Sequence, residues 1–158
     1  ATPNVSIPRL RTVLAHEYAH NWIPTRLGKF PDPEQSMYWF SEGFTEYYTY
    51  QLLFRSGLIT KDELIGNYNS LIREYYLSPV RTASNQRIVS DFWKDQNVQR
   101  LPYLRGFMIA VGWNSEILRF TVGKHSLDDV VLDLFRSAKA GGRGASLELI
   151  SGKISDLI

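Results

Sequence analysis

The stretch "HEYAHNW", from His16 to Trp22, decides the fold expected for this chain. It closes a run in which apolar residues recur at three- and four-residue spacing from about Pro8, so the run predicts a helix over residues 8–22. Side chains four positions apart lie on the same face of a helix, about one turn apart. His16 and His20 can therefore aim an imidazole nitrogen each at one metal ion, and nitrogen ligands of this kind suit zinc.

Glu17 directly follows the first histidine and is the candidate general base. Its position on the helix favours contact with a metal-activated water over contact with the metal. Zinc lowers the pKa of such a water to about 7, and a carboxylate can then accept its proton. The alternative is an ordinary amphipathic helix that carries two histidines by coincidence.

A catalytic zinc site normally needs a third protein ligand and keeps one position open. Glu42, in "WFSEGFTEYY", follows a proline-rich loop that lets a second helix fold back over the first. His125 is the rival, because the chain has only three histidines. We expect Glu42 to be the ligand and His125 to be a solvated residue near a helix start, since sites of this kind commonly use two histidines and one glutamate.

Two further side chains are candidates for supporting roles. Glu46 lies one turn beyond Glu42 and can accept the second N–H of His16, because metal-bound histidines normally donate that proton to a carboxylate or carbonyl. A phenol close to the developing oxyanion would stabilise it. The chain has nine tyrosines, and spacing alone does not choose among them; Tyr103 is one candidate.

The remaining sequence predicts a mainly α-helical chain. Thr60 with Glu63, and Ser126 with Asp129, have the spacing of capping boxes and predict helix starts. Pro102 predicts the first turn of another helix, since proline is tolerated there. Alternating strand patterns are scarce.

Composition limits the function classes. The chain has 158 residues, enough for one domain with a core, and a net charge of +2, which gives no reason to expect nucleic acid as a partner. It lacks an apolar run of about 18 residues, so no membrane partner is expected. Zero cysteines exclude thiolate ligands and fit either the cytoplasm or an extracytoplasmic space. Oligomeric state is left open.

Taken together, "HEYAHNW", "WFSEGFTEYY" and the "GLIT" stretch at 57–60 resemble the gluzincin metallopeptidases, and most closely the glycyl aminopeptidase family. The resemblance implies one zinc ion per chain on His16, His20 and Glu42, with Glu17 as general base. It also implies Glu46 as the hydrogen-bond partner of a ligand. The "PYLRG" element at 102–106 is similar to the segment that carries the catalytic tyrosine in the wider group, which favours Tyr103.

The resemblance further implies that residues 1–158 are the helical lobe of a thermolysin-like catalytic domain. The upstream β-rich region and the downstream PDZ domain of the family are expected to be absent from this chain. The implied activity is peptide hydrolysis, with a peptide as partner and aminopeptidase action expected. Alternatives are a zinc hydrolase of a non-peptide substrate, suited by aromatic residues in the segment 38–48, and a metal-bearing scaffold without activity.

Overall fold

The computed structural model describes residues 6–28, 30–141 and 147–155, and all regular elements within these ranges are helices. The prediction of a mainly α-helical chain is confirmed. The helices are α1 (Ile7–Ala19), a 3₁₀ helix (Glu34–Met37), α2 (Tyr38–Arg55), α3 (Lys61–Leu77), α4 (Asn85–Asp91), α5 (Gln96–Phe120), α6 (Leu127–Lys139) and α7 (Leu147–Ser155). Within the described ranges, no helix combines the length and apolar character needed to cross a membrane.

Both predicted capping boxes are confirmed. At the start of α3, the Thr60 amide donates to Glu63 Oε2 at 2.7 Å, and the Glu63 amide donates to Thr60 Oγ1 at 3.2 Å. At the start of α6, the Ser126 amide donates to Asp129 Oδ2 at 2.8 Å. These reciprocal bonds satisfy amides that have no partner inside the helix, which is why the helices begin there.

The predicted helix start at Pro102 is wrong. Helix α5 begins at Gln96, where Asp95 Oδ1 accepts from the Asn97 amide at 2.9 Å, and Pro102 lies buried inside the helix. An aspartate at the N-cap satisfies the first free amides of a helix, so the capping signal at Asp95 sets the boundary. The first helix is also shorter than predicted, because α1 ends at Ala19 and the chain then turns.

Helices α2 and α5 form the centre of the molecule and approach each other at two glycines. A Cβ atom added to Gly106 would lie 1.7 Å from the Trp39 carbonyl oxygen, and one added to Gly43 would lie 2.3 Å from Gly106 Cα. Neither position has room for a side chain. Since Gly43 directly follows Glu42, and Gly106 is one turn beyond Tyr103, this contact brings both residues to one region.

Helix α1 buries fewer of its residues than α2 does. Ala19 is its one buried residue among those described, whereas α2 buries ten residues along its length. Ile7, Leu14 and Tyr18 are 81%, 59% and 63% exposed, so one apolar side of α1 faces outward. Arg11 attaches the helix to the rest of the fold by donating to the Leu58 carbonyl at 2.6 Å.

Candidate metal centre

The C-terminal part of α1 and the first turns of α2 bring three predicted ligands together. His16 and His20 lie one turn apart with ring centroids 4.8 Å apart and nearly perpendicular. Their Nε2 atoms lie 3.4 Å and 3.3 Å from the same oxygen, Glu42 Oε2. Two histidine nitrogens and one carboxylate oxygen therefore converge from two helices.

The three side chains have the donor set of a catalytic zinc site. One ligand atom from each of His16, His20 and Glu42 can be chosen so that all lie within 4.8 Å of one another. Within the described ranges, this is the one group of three or more His, Cys, Asp or Glu side chains with such spacing. Nitrogen and carboxylate oxygen donors at about 2 Å from a common centre are what zinc binds.

The far nitrogen of each histidine is already occupied by a hydrogen bond. His16 Nδ1 lies 3.1 Å from Glu46 Oε2, and His20 Nδ1 lies 2.8 Å from the Ile23 carbonyl oxygen. An acceptor at Nδ1 requires the proton on that nitrogen, so a neutral ring presents the lone pair of Nε2 to the centre. In the neutral form, both rings therefore have the proton on Nδ1 and a free lone pair on Nε2, which is the tautomer that metal coordination needs. The residues present fit a zinc ion.

Mutual charge pairing holds the cluster in its ionised form. Burial lowers the pKa of His16, but the Glu42 and Glu46 carboxylates outweigh it and raise that pKa to about 9. The hydrogen bond to Glu42 raises the pKa of His20. Burial raises the pKa of Glu42, yet hydrogen bonds from His16 and His20 bring it down to about 2. The cluster thus carries one or more protons that a metal cation would displace.

An open cleft of about 570 Å³ exposes this cluster to the surroundings. Glu17 lies on its wall with an exposed side chain, and Glu42 and His20 are about one fifth exposed, at 18% and 23%. The residues lining the cleft come from α1 and its C-cap, α2 and α5; they are Arg9, Thr12, Val13, His16, Glu17, His20, Glu42, Glu46, Arg100 and Tyr103. Such a volume is in the range of small-molecule sites.

Tyr103 lies on the same cleft, although it is 61 residues away from Glu42 along the chain. Its ring is stacked near His16 with centroids 6.0 Å apart. Burial and the Glu42 carboxylate raise the pKa of the Tyr103 phenol, so its hydroxyl stays protonated at neutral pH. The predicted site residues from α1 and its C-cap, α2 and α5 therefore all line one cleft.

His125, the rival ligand, belongs to a different part of the molecule. It lies in the connection between α5 and α6, where its side chain is 48% exposed and Nδ1 is 3.7 Å from Asp129 Oδ2.

Arg100 is a site-lining residue that no sequence motif singles out. The one feature of the sequence that indicates a role for Arg100 is its position one helical turn before Tyr103.

A model of the M61 glycyl aminopeptidase family matches residues 9–100, more than half of the chain. The matched range contains the three candidate ligands together with Glu17, Glu46 and Arg100, and it ends before Tyr103. No curated protein sequence matches the chain significantly.

Proposed function

The chain belongs to the M61 glycyl aminopeptidase family, a family of metallopeptidases, and from this premise we propose that it is a zinc-dependent aminopeptidase of the gluzincin type. The observation that carries the proposal is the convergence of two histidine Nε2 atoms on one oxygen of Glu42. Zinc is the metal that suits this set, and His16, His20 and Glu42 would hold it.

The metal and the side chains divide the chemistry between them. A zinc ion held by His16, His20 and Glu42 would supply Lewis acidity, which would polarise the scissile carbonyl and lower the pKa of the attacking water. Glu17, whose carboxylate opens onto the cleft, accepts a proton from that water and passes it to the nitrogen of the leaving amine. The protonated Tyr103 hydroxyl donates a hydrogen bond to the oxyanion as the tetrahedral intermediate forms.

Two features favour a peptidase over the alternatives. An exposed Glu17 next to the ligands has a use in proton transfer and none in a closed structural site, which disfavours a scaffold. Three of the six aromatic side chains expected to suit an apolar substrate are buried in the core instead: Phe40 and Phe44 are fully buried and Tyr47 is 2% exposed. The cleft itself is lined mainly by charged and polar groups.

The experiment is hydrolysis of peptides with free and with blocked N-termini by the complete natural protein and by its Glu17→Gln variant. We expect the variant to keep one zinc per chain and to lose about 10²–10⁴-fold in kcat, the usual contribution of a general base. Glu116→Gln is the matched control, because Glu116 is exposed on α5 and pairs with Arg119. Unchanged turnover in Glu17→Gln would contradict the role of Glu17, and cleavage of blocked peptides would contradict aminopeptidase action.

A further inference from the structure

Arg100 connects Glu46 to a second carboxylate, that of Glu74, beside the candidate metal centre. Its Nη2 donates to Glu46 Oε1 at 3.4 Å and to Glu74 Oε2 at 3.1 Å, while its Nε donates to Glu74 Oε1 at 2.9 Å. The other oxygen of Glu46, Oε2, is the one that lies 3.1 Å from His16 Nδ1. One carboxylate therefore joins a guanidinium and an imidazole through different oxygens.

The Glu46 carboxylate needs this cation because it is buried. Glu46 is 7% exposed, and a buried charge is costly unless it is paired and hydrogen-bonded. His16 can pair with it as a cation only while the ring is protonated. Once a metal takes Nε2 of His16, the ring is a neutral donor to Glu46, and Arg100 is the cation that remains against that carboxylate.

The two-point contact between Arg100 and Glu74 also fixes the orientation of the Glu46 carboxylate, because it holds the Arg100 guanidinium in place. Arg100 Nε and Nη2 bind the two oxygens of Glu74, which locks the plane of the guanidinium. The same guanidinium lies over the Tyr103 ring, with its Cζ 5.5 Å from the ring centroid. Arg100 thus has a set position relative to α2, α3 and the neighbouring tyrosine.

We propose that Arg100 is a positioning residue of the metal centre, which orients the His16 imidazole by holding Glu46. This inference rests on the proposed function, because it assumes that His16 binds a metal. Arg100 lies beyond Glu46 and acts through it.

The test measures zinc affinity by competition with a chelator, and the ligand geometry by the visible absorption spectrum of the cobalt-substituted chain. Arg100→Gln should raise the zinc dissociation constant about tenfold, the lower end of what loss of an outer hydrogen-bond partner costs. The cobalt spectrum should change because the His16 ring is no longer held in one orientation. Arg100→Lys, which keeps the charge and loses the forked donor set, should show a smaller effect in the same direction.

Arg105→Gln is the matched control. Arg105 is on the same helix and donates to the Arg81 and Ala83 carbonyls at 3.1 Å and 2.9 Å, away from the cleft. Its loss should lower the stability of the chain while the zinc dissociation constant and the cobalt spectrum stay as in the unaltered chain. A spectral change common to Arg105→Gln and Arg100→Gln would overturn the positioning role, since it would reflect general destabilisation.

A double-mutant cycle tests whether Arg100 acts through Glu46. Glu46→Ala removes both contacts of the carboxylate, so adding Arg100→Gln to it should change the zinc dissociation constant less than about twofold. Fully additive effects, or an unchanged dissociation constant in both Arg100 variants, would overturn the inference.

Absence of zinc binding by the unaltered chain would overturn the proposed function as well. Zinc binding without peptide hydrolysis would count against the proposed function alone.

Discussion

Substitution of Gly106 by alanine tests the close contact on which the site geometry depends. The added Cβ would lie 1.7 Å from the Trp39 carbonyl oxygen, while ordinary contact begins near 3.4 Å. Helices α2 and α5 would therefore have to separate by about 1.7 Å at this point. The opposing atom belongs to the backbone, so no side-chain rotation relieves the overlap.

The expected cost follows from this geometry. Overpacking a core by a methyl group typically costs about 1–3 kcal/mol, and a backbone clash belongs at the upper end. We expect Gly106→Ala to lower the free energy of unfolding by about 3 kcal/mol, which for a chain of this size lowers Tm by about 6–12 °C. Urea unfolding monitored by circular dichroism measures the change, with the slope checked for two-state behaviour.

Gly112→Ala is the matched control for this experiment. Gly112 is on the same helix, and a Cβ atom added to it would meet no atom within 4 Å, so alanine there should stabilise α5 by about 0.5–1 kcal/mol. The two substitutions make the same chemical change in one helix and differ in the space available. Equal effects of both on the free energy of unfolding would refute the reasoning that this contact limits the approach of α2 and α5.

Two further predictions concern the ionised cluster and the cleft. In the metal-free chain, the free energy of unfolding should be greatest between about pH 4.5 and 6.5. The raised His16 pKa contributes stability that is complete below 6.5 and lost as the pH rises to about 9. The lowered Glu42 pKa contributes stability that is complete above 4.5 and lost as the pH falls towards 2. Urea titrations with a chelator present measure this, and stability that rises between pH 6.5 and 9 would contradict it. Tyr103→Phe should keep zinc affinity and reduce kcat by about 10²–10³-fold, as loss of one oxyanion donor does; peptide turnover measures this, and an unchanged kcat would remove the tyrosine from the mechanism.

Two helix starts are predicted from local signals in the sequence, because each has a capping box formed by residues three positions apart. The Thr60 amide donates to the Glu63 side chain three positions away, so the spacing in the sequence is enough to predict this helix start. Pro102 misleads because proline fits two descriptions, a first turn and an interior position of a packed helix. The structure shows the interior position: Asp95 caps the helix by accepting from the Asn97 and Val98 amides, and the helix starts there.

The candidate site divides in the same way. His16 and His20 are related by one helical turn, so their shared direction follows from the sequence. The contact between Arg100 and Glu46 joins residues 54 positions apart, and no periodicity predicts it. Choosing Tyr103 among nine tyrosines requires either the family resemblance or the approach of α5 to α2 at the two glycines.

The outward apolar side of α1 has a consequence for how fast the proposed zinc ion would be released. His16 is on this helix and His20 is its C-cap residue, and Ala19 is the one buried residue of α1 among those described. Glu42 is on α2, which buries ten residues. Segments with few buried contacts open more often than the core does. Opening of α1 with its C-cap would remove both proposed nitrogen ligands together and leave the carboxylate of Glu42 in place. Dissociation of the proposed zinc ion would then need only a local fluctuation, and global unfolding would not limit its rate.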